Sequence, residues 1–76
     1  MVFGTYIKKQ RIIKNKSQQE LANYLGIKRQ SISRWENNLA YPSLEHLYGV
    51  SDFLEVPMET ILIMLKKALI RKKEIK

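Results

Sequence analysis

The sequence predicts an all-α fold of five helices in a single domain. Apolar residues recur at three- and four-residue spacing, turn-forming residues divide the chain into five segments, and no run alternates apolar and polar residues like a half-buried strand. A chain of 76 residues suits one small domain, and 45% apolar with 28% charged residues is typical of a globular protein. Because the chain has no cysteine, packing must stabilise it without disulfides.

The first two segments carry clear helix signals. Residues 3–14 place apolar side chains at i, i+4 and i+7 spacing with basic side chains between them, which predicts an amphipathic helix. The second helix follows Ser17, which with Glu20 forms a capping box, and Gly26 provides a left-handed stop about nine residues later. Its predicted buried face consists of Leu21, Ala22 and Leu25.

The other three segments differ in how many apolar residues they carry. The third helix, within residues 28–37, has few and shows long polar side chains to solvent. The fourth follows the N-cap Ser43 and ends near Leu54. The fifth begins near Met58 and reaches Arg71 or beyond. Its apolar residues cover more than one face, so one face can pack on the domain while another is left for a partner.

The charges are distributed unevenly along the chain. The net charge is +7, of which residues 1–41 carry +6, residues 42–65 carry −4 and residues 66–76 carry +5. A basic end suits a phosphate-bearing partner, although a basic surface can also serve solubility alone. The longest unbroken apolar run has five residues, and a membrane span needs about 20. Without a signal-peptide pattern at the N-terminus either, we expect a cytoplasmic protein with no membrane partner.

Residues 18–37 have the spacing of a helix-turn-helix. This motif needs a small residue where its helices cross, a permissive residue in the turn and a buried aliphatic residue in the second helix. Ala22, Gly26 and Ile32 occupy these positions. The sequence therefore predicts two short helices, the second of which can enter the major groove of DNA.

Over about residues 5–65, the chain resembles the Cro and phage-repressor type of helix-turn-helix, the XRE family. The resemblance rests on the segments SQQELANYLG, RQSISRWEN and YPSLEHL, which occur in that order. It implies a five-helix, lambda-repressor-like DNA-binding domain in residues 1–65, with residues 66–76 as a basic extension of helix five. It also implies a dimeric transcription regulator that places its recognition helix in the major groove of double-stranded DNA.

The resemblance also implies roles for individual residues of the recognition helix and its surroundings. Arginine can bind guanine and glutamine can bind adenine through paired hydrogen bonds, so the residue types suit base recognition. The family's base-reading positions fall on Arg29, Gln30, Ser33 and Arg34. Candidate phosphate contacts are Gln18, Lys28, Asn37, Asn38 and Lys9.

A structural ion pair common in the family matches Arg11 and Glu36. The alternative is two solvated charges, whose attraction would contribute at most about 1 kcal/mol. The chain also departs from the family pattern: Lys28 replaces a capping Ser or Thr, Glu55 replaces a glycine after the fourth helix, and Pro57 stands where Ser is usual. These last two departures leave the path into helix five open.

The fifth helix is longer than a domain of this size can cover, which predicts a symmetric dimer. Two recognition helices would then lie about 34 Å apart and require a roughly palindromic operator. The predicted dimer interface consists of Ile61, Leu62, Leu65, Ala68 and Leu69.

Two aromatic residues and the basic end have competing interpretations. Trp35 can stack on DNA or pack on the domain, and we expect packing. His46 is the single histidine, and we expect it on the exposed side of helix four without a metal. The basic residues of 66–76 either form a solvated helix end or add non-specific DNA contacts.

These observations predict a transcriptional regulator that binds specific sequences of double-stranded DNA and acts as a dimeric repressor. Activators of the family use similar residues, so the sequence does not separate the two directions of regulation. Two alternatives stay open: an antitoxin or autoregulator that also binds a partner protein, and a module that binds only protein. We expect no enzyme, cofactor or metal, because the chain has no cysteine, an isolated histidine and no glycine-rich phosphate loop. We also expect no small-molecule ligand, because 76 residues leave no room for a ligand-binding module beside the helix-turn-helix.

Overall fold

The computed structural model describes residues 2–74, and the side chains of residues 2–70, and within them it contains five helices and no strand. This confirms the predicted all-α class and, to within about two residues, the predicted helix boundaries. Of the predicted basic extension, residues 75 and 76 lie outside the described residues. The helices are α1 (Phe3–Ile13), α2 (Gln18–Leu25), α3 (Arg29–Glu36), α4 (Leu44–Leu54) and α5 (Met58–Glu74).

One hydrophobic core joins all five helices. α2 and α3 pack on each other, α1 contacts α3 and α5, and α4 contacts α2 and α5. The motif formed by α2 and α3 therefore rests on a frame of three other helices, which leaves one side of α3 facing solvent. The buried apolar residues are Phe3, Ile7, Leu21, Ala22, Ile32, Trp35, Leu47, Val50, Leu54, Val56 and Ile61.

The start of α2 has the predicted capping box. The Ser17 hydroxyl accepts a hydrogen bond from the Glu20 N–H (3.0 Å), and the Glu20 carboxylate accepts one from the Ser17 N–H (2.7 Å). The bonds to Ser17 favour the charged carboxylate and lower the pKa of Glu20 below its usual value. Two of the unpaired N–H groups at this helix end are thereby satisfied.

The N-terminal end of α1 lies directly against the C-terminal end of α3. Gly4 is buried there, and a Cβ at this position would clash with the backbone carbonyl oxygens of Trp35 and Glu36. Its N–H donates to the side-chain oxygen of Asn38 (3.0 Å), which follows α3 in a left-handed conformation (φ 59°). Only glycine permits this approach of the two backbones.

Glu55 makes the turn into α5 that the sequence left open. It adopts the left-handed conformation (φ 55°, ψ 45°) in which glycine is usual. The Val56 N–H then donates to the Ser51 carbonyl (3.1 Å), and the Ser51 hydroxyl donates to the Val56 carbonyl (2.6 Å). Pro57 directly precedes α5, and its carbonyl accepts a hydrogen bond from the Thr60 N–H (3.1 Å).

Within residues 2–74, no helix combines the length and the apolarity that crossing a lipid bilayer requires.

Candidate nucleic-acid interface

The turn between α2 and α3 has the geometry of a helix-turn-helix. Ala22 is fully buried, and Gly26 takes the left-handed conformation (φ 71°) that ends α2. The Ile27 N–H donates back to the Ala22 carbonyl (3.0 Å), which closes the turn. Ile32 is fully buried and fixes the inner face of α3. The residue types on which the motif was predicted thus occupy the structural positions that the motif requires.

α3 has one buried face and one face open to solvent. The buried face consists of Ile32, Trp35 and Glu36. Arg29, Gln30 and Arg34 are exposed on the remaining surface, and Ser33 is half-buried beside them. The structure therefore places all four predicted base-reading side chains away from the core. That they read bases remains a prediction.

The predicted partners Arg11 and Glu36 form a buried, two-pronged ion pair. Arg11 donates from Nε to Glu36 Oε2 (2.7 Å) and from the second terminal nitrogen to Oε1 (3.0 Å). The exposed fractions of the two side chains are 11% and 1%, so these are not solvated surface charges. The hydrogen bonding that Arg11 donates to Glu36 raises the pKa of Arg11, against the effect of burial. A third bond, to the Lys16 carbonyl (2.7 Å), completes the set on Arg11.

Gln18, a predicted phosphate contact, connects this ion pair to the recognition helix. Its side-chain nitrogen donates to Glu36 Oε1 (3.0 Å), and its side-chain oxygen accepts from the Arg29 guanidinium (3.3 Å). Gln18 is half-buried at the first residue of α2, so this bridge lies at the edge of the exposed face of α3. No pattern in the sequence predicted this bridge, because the bridge joins three residues that come together only when α2 and α3 pack.

The other predicted phosphate contacts fall into two groups. Lys9 and Lys28 are exposed, and Lys28 precedes α3 without a side-chain cap bond, consistent with the missing Ser or Thr. Asn37 donates from its amide to the Ser33 carbonyl (2.9 Å), and Asn38 accepts from Gly4 as described above. Both asparagines therefore have structural bonds at the C-terminal end of α3 in addition to any DNA contact.

The structure corrects the predicted dimer surface at Ile61. This residue is fully buried in the core of its own chain, because α5 packs on α1 and α4 through the face that carries it. Leu65 and Ala68 are half-buried against the same core, whereas Leu62 and Leu69 are 43% and 46% exposed. The exposed side forms a shallow apolar groove. Its lining residues are Leu62, Leu65, Lys66, Leu69 and Ile70.

His46 is also placed differently from the prediction. It is half-buried rather than exposed, with its ring 5.8 Å from the ring of Trp35. Trp35 itself is buried, as expected for packing on the domain. Elsewhere, the Tyr24 hydroxyl donates to the Asp52 carboxylate, linking α2 to α4 and raising the pKa of Tyr24. Sequence periodicity gave no signal for either contact.

Comparisons with known proteins agree with this geometry. The sequence profile of a helix-turn-helix family matches residues 7–61. The chain belongs to this family, the XRE-type helix-turn-helix domains of DNA-binding transcriptional regulators.

Two regulators are similar in sequence. The HTH-type transcriptional activator BcrR of Enterococcus faecalis is 36% identical over 62 residues, which cover 82% of this chain and 30% of BcrR. The SPbeta prophage-derived uncharacterized HTH-type transcriptional regulator YonR of Bacillus subtilis is 39% identical over 61 residues, covering 80% of this chain and 56% of YonR. The chain thus spans between about a third and somewhat over half of the length of these relatives.

Solved structures confirm the lambda-repressor-like fold. The biofilm regulator SinR, in a crystal structure with DNA, matches with a TM-score of 0.73 at 37% identity, covering 80% of this chain and 98% of that one. The DNA-binding domain of the P22 c2 repressor matches with a TM-score of 0.77 at 26% identity, covering 82% of each chain. SinR has also been solved in complex with the SinI protein.

Proposed function

We propose that this chain binds a palindromic operator as a dimer, reads its sequence with α3 and represses transcription. The observation that carries the proposal is the exposed polar face of α3 on a helix whose opposite face is fixed by the buried Arg11–Glu36 pair. Long polar side chains on a rigid helix can hydrogen-bond to base edges in the major groove.

Base recognition is proposed for the exposed side chains of α3. Arg29 and Arg34 suit guanine, and Gln30 suits adenine, with each good pair contributing about 1–3 kcal/mol of discrimination. Ser33 is half-buried next to them and can add a single hydrogen bond. Contacts to phosphate, from Lys9, Lys28 and the polar groups at the helix ends, would position the domain without reading sequence.

Dimerisation is proposed through the apolar groove on α5. Leu62 and Leu69 are seven residues apart on one side of the helix and remain 43% and 46% exposed in the single chain. A second copy packed on this side would bury them by a two-fold contact in which each copy contributes the same surface. With Ile61 excluded by burial, the proposed interface consists of Leu62, Leu65, Ala68 and Leu69.

Repression is proposed because it requires only that the bound domain blocks access to the same DNA. An activator needs an additional surface for the transcription machinery. Since the relative BcrR is named an activator, a reporter gene placed behind the operator decides the direction. Repression predicts lower reporter output when the chain is expressed, and higher output would overturn this part of the proposal.

A partner protein on the α5 groove is the second candidate, favoured by the exposed apolar side chains around Lys66. An amphipathic helix can lay its apolar face in such a groove. This candidate predicts a chain that is monomeric alone and forms a complex of defined stoichiometry with its partner. A stable dimer of the isolated chain would count against it.

The DNA-binding proposal is tested by selecting bound duplexes from a randomised pool at about 150 mM salt, where weak surface attraction is screened. We expect enrichment of a two-fold symmetric motif whose half-sites lie about one helical turn apart. Recovery of unenriched sequence would overturn sequence-specific recognition. Enrichment of a single, asymmetric half-site would overturn the dimer while leaving base reading in place.

A further inference from the structure

We propose that two outer helix faces of this chain bind each other between copies, so that the outer face of α1 in one molecule packs on the outer face of α4 in the next. The outer face of α1 consists of Thr5, Lys8, Lys9, Ile12 and Ile13. The outer face of α4 consists of Leu44, Glu45, Tyr48 and Asp52. The inference goes beyond the proposed function, because it concerns surfaces other than α3 and the α5 groove.

Both faces expose large apolar side chains. These are 58–60% exposed in the single chain, and they are Ile12 and Ile13 on α1 and Leu44 and Tyr48 on α4. On α1 they line a shallow groove together with the two lysines. The opposite side of α1 is the one that packs on the domain, through Phe3, Ile7 and Arg11. The groove therefore faces away from the core of its own chain, and a second molecule can cover it.

The two faces carry opposite charges. The first 19 residues contain no acid, so Lys8 and Lys9 make the α1 face basic. Residues 42–65 contain no lysine or arginine, so Glu45 and Asp52 make the α4 face acidic. Two copies of the same face repel each other, whereas unlike faces attract. The charges thus favour α1 on α4 over either face on itself.

Two other lysines near α1 are already engaged within the chain. The Lys14 ammonium donates to the Leu54 carbonyl, and the Lys16 ammonium lies 5.4 Å from the centre of the Phe53 ring. Both lysines are half-buried, and both contact the C-terminal end of α4. The charge of Glu45, in the first turn at the opposite end of α4, stays open to a second molecule.

The two faces also match in length and in the order of their side chains. Residues 5–13 and 44–52 each span about 12 Å of helix. With the helices antiparallel, the isoleucines at the end of α1 meet Leu44 and Tyr48 in the first half of α4. The lysines one turn earlier then lie toward Asp52. This carboxylate accepts from a tyrosine hydroxyl of its own chain and keeps acceptor sites for a lysine.

A contact between two different faces is head-to-tail. A bound pair keeps one free face of each kind, so association can continue at both ends. The contact between two short helices is small, and we expect a weak dissociation constant of about 0.01–1 mM. Its consequence on DNA rests on the proposed function: molecules bound at neighbouring operators are held close together, where a weak contact is sufficient to link them.

Sedimentation equilibrium in the absence of DNA tests the contact. The wild-type chain is measured from about 10 µM to 1 mM, the range of the expected dissociation constant, at about 50 mM salt. We expect the average mass to keep rising with concentration above its value in the most dilute sample. Raising the salt to about 0.5 M should weaken this association about 2- to 5-fold, the range of an exposed ion pair.

Two variants and their mixture separate a head-to-tail contact from a symmetric one. Ile13→Asp disables the α1 face and Tyr48→Asp the α4 face, and both residues are exposed enough for the fold to persist, which circular dichroism checks. Each variant alone should stop the rise in mass. An equimolar mixture should restore it, because the intact α4 face of one variant meets the intact α1 face of the other. Ile63→Asp, at an exposed residue of α5 outside both faces, should leave the rise unchanged.

Three results would overturn the proposal: a wild-type mass that does not rise, a rise that persists in either aspartate variant, or a mixture as dissociated as its components. If an aspartate variant does not fold, Lys8→Glu and Glu45→Lys replace the pair in the same mixture, since each reverses one charge on one face. No DNA is present in these measurements. A negative result therefore leaves the proposed function standing, and a chain without sequence preference for DNA leaves this contact standing.

Discussion

Arg11 and Glu36 are joined by two hydrogen bonds across 25 residues of chain, and this buried contact ties α1 to the last residue of α3. Both charges lie inside the domain, where each depends on the other for compensation. The pair therefore sets the position of the recognition helix against its frame. It also connects, through Gln18, to the surface proposed to meet DNA.

Replacing Glu36 should strongly destabilise the domain. Glu36→Ala leaves the Arg11 guanidinium buried without its counter-charge, which costs about 3 kcal/mol or more. The free energy of unfolding from a urea titration measures this cost. Glu45→Ala, which removes an exposed carboxylate from the first turn of α4, is the matched control and should cost less than about 1 kcal/mol. A loss below about 1 kcal/mol in Glu36→Ala would contradict a stabilising role for the pair.

Replacing Glu55 by glycine should stabilise the domain. Glu55 holds a left-handed backbone conformation that costs a side-chain-bearing residue about 1–2 kcal/mol, and glycine adopts it without that cost. We expect Glu55→Gly to raise the free energy of unfolding by about 1 kcal/mol, and Glu55→Ala to change it little. Thermal and urea unfolding of the two variants check this. If Glu55→Gly is less stable than Glu55→Ala, the turn is not strained.

Acidification should remove the contribution of the α2 capping box. The pKa of Glu20 is lowered by its bonds to Ser17, so its stabilisation is fully present above the usual value of 4.5. It is lost as the pH falls through the lower pKa of the folded state. We expect the stability difference between wild type and Glu20→Ala to be largest near neutrality and to shrink below about pH 4. A difference independent of pH would contradict the capping role of the charged carboxylate.

A charge in the α5 groove should separate the proposed dimer. Leu69→Asp places a carboxylate in the apolar contact without disturbing the core, because Leu69 is 46% exposed in the single chain. Sedimentation should show a folded monomer, with operator affinity reduced at least about 10-fold by the loss of the second half-site. Ile12→Asp alters a comparably exposed residue on α1 and should leave the dimer intact. An unchanged dimer in Leu69→Asp would place the interface elsewhere.

Local signals in the sequence were sufficient to predict the helices and the helix-turn-helix motif. Ser17, Glu20 and Gly26 act on neighbouring residues, and their effects are therefore visible in a short stretch of chain. The contact of Gly4 with Asn38 joins residues 34 apart and depends on how α1 meets α3. No local pattern encodes such an approach, so it was found only in the folded chain.

The spacing of apolar residues in α5 does not predict which of its faces is buried and which is left for a dimer. α5 has apolar residues on several faces, and sequence spacing does not say which of them turns inward. Packing against α1 and α4 buries Ile61 and exposes its neighbour Leu62. The predicted base-reading positions came from the resemblance to the family. Apolar spacing could not give them, because it does not show which exposed polar residues contact a partner.

Arg34→Ala tests whether α3 reads base sequence. Arg34 is exposed on α3 and is not a member of the buried Arg11–Glu36 pair, so its loss should leave the fold intact. Affinities of wild type and variant are measured for the selected operator and all its single-base substitutions. We expect discrimination to fall by about 5- to 150-fold at one position in each half-site, the equivalent of 1–3 kcal/mol, with the other positions unchanged. An unchanged preference at every position, or a uniform loss across all duplexes, would contradict base reading by Arg34.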